Sequence, residues 1–154
     1  MIKLELIKNV RSNCKKEDFV SIIRKYFLLD RTRCEKFMEG KNGKITVVLL
    51  DDDEIQRYNR DIRGKDKPTD VLTFVYLEKS FDKQNKFKEM ILGDILISLD
   101  TAKMQSKEKK HTLKKEVLIL FTHGLLHTFG YDHNTDEEES EMEKMSEKVL
   151  EKFK

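Results

Sequence analysis

LKKEVLILFTHGLLHTFGYDH, residues 113–133, decides how this chain folds. It is charged up to Glu116, but from there through Phe129 it holds no acidic, lysine or arginine side chain. A surface helix carries one apolar stripe, whereas a helix apolar on every side belongs in the middle of a protein. A helix starting near Thr112 is therefore expected at the centre of the molecule. Gly130 should end it, because the left-handed C-cap conformation costs glycine almost nothing, and the chain can then fold back over the exposed turn.

The remaining elements arrange themselves around that helix. Downstream, Thr135 and Glu138 form a capping box opening a last helix, on which Met142, Met145, Val149 and Phe153 make one stripe of core filler. Upstream, residues 2–7 alternate with period two, as a half-buried strand does. Residues 17–29 place Phe19, Ile22, Ile23, Tyr26 and Phe27 at helical spacing. A weaker helical segment, 30–38, ends in a turn at 40–43 (GKNG). Residues 45–50 (ITVVLL) suit an interior strand covered on both faces. Asp51, Asp52 or Asp53 caps a helix through about Asp61, and a basic loop and the sole proline, Pro68, follow. Strands are expected at 71–77 and 91–98, joined by the polar excursion 78–89 of a long hairpin and so antiparallel. Residues 99–107 form a short helix, and His111 lies in a polar loop as an exposed or capping residue. The expectation is an α+β fold, a four-stranded mixed sheet wrapped by five or six helices, in a single domain of residues 1–154.

Charged residues make up 39% of the chain and the hydrophobic set 38%, which describes a soluble globule and not a disordered chain. A net charge of +2 is too mild to name a polyanionic partner, so the distribution matters more. Residues 57–67 carry three arginines and two lysines, residues 104–115 five lysines, and residues 136–147 are mostly acidic. Cys14 and Cys34 form no CxxC pair and read as buried or idle thiols in a reducing compartment. No stretch approaches the roughly 18 apolar residues of a membrane span, and the alternating N-terminus is no signal peptide. A cytoplasmic protein without a membrane partner is expected.

Three of the four histidines fall within residues 123–133. His123 and His127, four apart, sit about 40° apart on adjacent helical turns, so both rings can reach one ion. Six further helical residues would carry His133 about 240° round to another face. The stop at Gly130 removes that obstacle and makes His133 the third ligand. Three neutral imidazoles suit zinc, one ion per chain, with a coordination position left for water or substrate. Such an ion keeps its double charge, attracts phosphate and lowers the pKa of a bound water to about 7. The spacing resembles that of the metzincin peptidases, whose zinc helix carries a glutamate base beside the first histidine. Here that position is Gly124, and peptide hydrolysis by the usual route lacks its base.

HGLLHTFGYDH, with NRDIRGKDKPTDVLTF at 59–74 and LGDILIS at 92–98, resembles the YbeY family of bacterial endoribonucleases, with the blocks in the family's order and separation. The resemblance implies that His123, His127 and His133 hold zinc and that Arg63, before GKDKPT, is needed for activity. It further implies single-strand-specific RNA cleavage in small-subunit ribosomal RNA maturation and ribosome quality control, with single-stranded RNA, ribosomal RNA and the small ribosomal subunit as partners. The chain departs from the family pattern LSFP at Thr73 and Val75, and from its usual leucine at Thr128.

Charge chemistry agrees. Arg63 can bring a planar fork to a phosphate, while Arg60, Lys65 and Lys67 supply sequence-independent attraction to an RNA backbone. Asp70 is expected to fix the turn entering a strand. Asp132 is expected to orient an imidazole from behind, with proton transfer as its alternative role. Two rival readings are a metzincin-like metallopeptidase and a non-catalytic ribosome-assembly factor whose metal clamps the helix end.

Overall fold

A computed structural model describes residues 1–76 and 89–151. In chain order its elements are β1 (Ile2–Lys8), α1 (Lys16–Leu29), α2 (Arg31–Met38), β2 (Asn42–Leu50), α3 (Asp52–Arg63), β3 (Val71–Val75), β4 (Glu89–Ser98), α4 (Leu99–Glu108), α5 (Leu113–Thr128) and α6 (Asp136–Leu150). The fold is α+β, with one four-stranded sheet in the order β1-β2-β4-β3. β1, β2 and β4 run parallel, and β3 closes one edge antiparallel to β4. Leu77, the expected hairpin excursion up to Lys88, and Phe153 lie outside the described residues. None of the described helices is long and apolar enough to cross a membrane.

Successive strand residues point to opposite faces, and the two faces have separate cores. Ile45, Val47, Leu49 and Ile95 join the larger core under α1 and α5. Leu50, Leu72 and Leu96 turn the other way and form a smaller cluster with Ile55 of α3. The coverage expected on both faces of β2 is uneven. Its α5 side is closed, while Thr46 and Val48 on the α3 side are only half-buried, because a single helix covers that face.

α5 occupies the middle. It packs on β3 and β4 and touches α1, α4 and α6, and Val117, Phe121, Leu125 and Leu126 are wholly buried. Thr112 caps its start, its hydroxyl accepting from the Lys115 amide. The one ionisable group fully inside it, Glu116, accepts from Lys109 Nζ at 3.0 Å and pairs with His111. His111 is therefore neither exposed nor a helix cap. Its side chain is 15% exposed, drawn in by a carboxylate that could not be buried without partners.

Two further expectations shift. Gly43 belongs to β2, opposite Ile2 and Met90, not to a turn. A Cβ there would stand 2.5 Å from Leu92 Cδ1, so the glycine serves close strand packing, and the reversal is made by Glu39 and Gly40 at positive φ. α3 runs to Arg63, two residues past Asp61, and ends at Gly64 with φ 70°. Arg60 and Arg63 thus stand on a helix end and not in a loop. The Thr135 hydroxyl caps α6 as expected, but the Glu138 carboxylate returns to the Asn134 amide, one residue before the cap.

Candidate metal centre and its cleft

α5 stops where Gly130 takes φ 88°. The Gly130 amide donates to the His127 carbonyl and the Tyr131 amide to that of Leu126, which reverses the chain. A Cβ on residue 130 would meet the Phe37 ring at 2.7 Å, so the position is closed to larger residues by space as well as by dihedral angle.

The reversal brings His133 over the last turn of α5. His123 and His127 Nε2 are 3.1 Å apart, close to the roughly 3.3 Å expected of two nitrogens on one tetrahedral zinc. One ligand nitrogen from each of the three rings lies within 4.8 Å of the others. His127 Nδ1 donates to the Tyr131 carbonyl at 2.9 Å, and this fixes the tautomer that leaves Nε2 bare for an ion. His133 is the loosest of the three, its side chain 56% exposed.

Protonation favours ion binding here. His123 is pushed down to about 4, first by burial and then by the neighbouring His127 and His133. His127 is also lowered, chiefly by burial. Both rings are therefore neutral near pH 7, as metal ligation requires. A donor set of three imidazoles with no thiolate fits a divalent transition ion.

The histidines line a cavity of about 690 Å³, and Arg63 lines it with them. Arg63 reaches it from the last turn of α3, its Nη2 donating to the Thr73 carbonyl at 3.3 Å. Asn59, which opens the 59–74 block with no role expected of it there, steadies this region. It is buried, its Nδ2 donates to the Lys67 carbonyl at 2.9 Å, and the Asn59 carbonyl accepts from the Lys65 amide. Lys65 and Lys67 stay exposed outside the cavity wall. Arg60, expected to attract an RNA backbone, is paired with Asp61 at 3.0 Å and with Asp66 at 4.0 Å.

Asp132 lines the cavity, but its carboxylate accepts from the His133 amide at 2.8 Å and from Asn134 Nδ2 at 2.7 Å. It stands 3.9 Å from His133 Nδ1. It thus orders the backbone of the turn and makes no hydrogen bond to an imidazole. Asp70 behaves as expected, its carboxylate accepting from the Val71 amide at 2.8 Å at the start of β3, and it also accepts from Gln105 at 3.2 Å.

Gly124 has a structural reason to be glycine. A Cβ there would lie 2.8 Å from Ile95 Cγ2 and 2.9 Å from Thr73 Oγ1, because α5 rests directly on the sheet. The place where a metzincin-like base would stand is filled by β3 and β4.

A sequence profile described as Endoribonuclease YbeY matches residues 6–154. A protein of that name from Sulfurihydrogenibium sp. is 42% identical over 142 residues, covering 90% of this chain and 89% of its own. Another, from Oceanobacillus iheyensis, is 38% identical over 145 residues and 92% of each chain. A solution structure from Thermotoga maritima superposes with a TM-score of 0.52 at 24% identity, over 98% of this chain and 91% of that one, a likeness of fold.

Proposed function

The chain belongs to the Endoribonuclease YbeY family, and on that premise we propose that it is a zinc-dependent nuclease cutting single-stranded RNA, acting as one catalytic domain over residues 1–154. The observation that carries the reading is the convergence of three imidazoles and one arginine on a single cleft. His123, His127 and His133 would hold the ion, which when bound supplies Lewis acidity toward a phosphate oxygen and a nucleophile at neutral pH.

The chain's own groups do the rest. The Tyr131 carbonyl keeps His127 Nδ1 protonated and its Nε2 directed at the ion. The Arg63 guanidinium neutralises the negative charge that develops on the phosphorane oxygens during cleavage. Lys65 and Lys67 draw in the RNA backbone from outside the cleft, without base preference. Thr73, Val75 and Thr128, the positions that depart from the family pattern, all line the cavity and so bear on substrate fit. Ribosomal RNA of the small subunit, processed in the cytoplasm, is the proposed substrate. The packing around Gly124 leaves no room for a metzincin-like base at that position.

Cleavage of a labelled single-stranded RNA by metal-loaded protein tests the reading. Arg63→Ala is expected to lower kcat by roughly 10²- to 10³-fold with metal content intact, and His127→Ala to lose both metal and cleavage. Full RNA cleavage by a folded, metal-free His127→Ala protein would refute it. Cells in which Arg63→Ala replaces the native protein should accumulate immature small-subunit RNA, and normal maturation there would favour an assembly factor over a nuclease.

A further inference from the structure

Asp30 ends α1 and is the residue at which α2 begins. An aspartate at a helix N-cap ordinarily turns its carboxylate onto an amide of its own first turn. Asp30 makes no such bond. Its Oδ2 instead accepts from the Tyr131 hydroxyl at 2.6 Å, across 101 residues of sequence, with Arg33 Nε at 3.3 Å on the same oxygen.

Arg33 adds two contacts to the same turn. Its guanidinium lies 4.0 Å over the Tyr131 ring, a cation–π arrangement, and its Nη1 donates to the Phe129 carbonyl at 3.3 Å. The junction of α1 and α2 therefore grips the segment between α5 and His133 at a backbone carbonyl, an aromatic face and a hydroxyl. The backbone bonds that close the reversal are local and follow from any glycine-capped helix end. The grip is additional, and it acts on the residue whose carbonyl holds His127 Nδ1.

We infer that Asp30 and Arg33 are positioning residues of the metal centre, fixing from the α1–α2 junction the turn whose Tyr131 carbonyl orients His127 and whose continuation carries His133. The inference rests on the reading that the three histidines hold a metal. Neither residue lines the cleft, so their effect passes through the turn they hold at Phe129 and Tyr131.

The test uses the full chain, stripped of metal and titrated with Co²⁺. Affinity is read by competition with a chelator, ligand geometry by the visible absorption of the ion, and folding by the melting of the metal-free protein. Asp30→Ala and Arg33→Ala are expected to weaken Co²⁺ binding by roughly 10- to 100-fold and to shift the visible bands. Asp30→Asn, whose amide oxygen still accepts from the Tyr131 hydroxyl, should recover part of the loss. Tyr131→Phe removes only the hydroxyl and gives the same direction of change should Asp30→Ala not fold. Wild-type affinity and spectrum in folded Asp30→Ala and Arg33→Ala overturn the inference while leaving the metal site standing. A wild-type protein that takes up no Co²⁺ overturns both.

Discussion

Gly124 and His123 are neighbours with opposite demands on space. The glycine lets α5 touch the sheet, and that contact half-buries the adjacent ring. Gly124→Ala places a methyl group 2.8 Å from Ile95 and 2.9 Å from Thr73, overpacking expected to cost about 1–3 kcal/mol, measurable as a lower urea midpoint. His123 makes the pH dependence predictable in sign. Its folded pKa is lowered to about 4, chiefly by burial, while the unfolded ring titrates near 6.5. Between those values the unfolded state binds the extra proton, so the metal-free fold loses stability as pH falls from about 6.5 toward 4. Urea titrations of metal-free protein at pH 7 and pH 5 should show the fall, and His123→Asn should make it shallower.

At the scale of elements, the termination of α3 governs where Arg63 can be. Asn59→Ala removes the bond to the Lys67 carbonyl. It is expected to cost about 1 kcal/mol and to raise KM for RNA while Co²⁺ affinity stays at the wild-type value, since α5 is untouched. Most elements were legible because their pattern is local: the apolar spacing of α1, an aspartate cap among residues 51–53, the Thr135 cap, the unbroken apolar run of α5. Where the reading slipped, a distant partner decided. GKNG looks like a turn until Leu92 is seen to need the space at Gly43. His111 looks exposed until Glu116 is buried beside it. The three histidines were readable for the same reason that α5 was, since ligands and helix break lie within eleven consecutive residues. Asp30, Arg33 and Asn59 escaped because their bonds to the cleft's supports are made to the far side of a turn or of the chain, and no spacing rule reaches there.

Across the whole molecule, the cleft lies where the antiparallel edge strand β3, the end of α3 and the end of α5 meet, so a ligand bound there ties parts from different regions of the sequence. An ion that binds only the folded form raises its stability by mass action, about 2.7 kcal/mol at a free concentration one hundred times its Kd. Titrating Zn²⁺ into metal-free protein should therefore raise the melting temperature progressively, and His127→Ala should abolish the rise.

The two thiols have no part in this centre. Cys14 and Cys34 are wholly buried, and burial raises both, Cys34 to about 11, so neither offers the thiolate that peroxide attacks. Ring nitrogens are not on that oxidation ladder. A metal held by this trio would therefore have no thiolate ligand to lose to peroxide, unlike one held in a cysteine-built site.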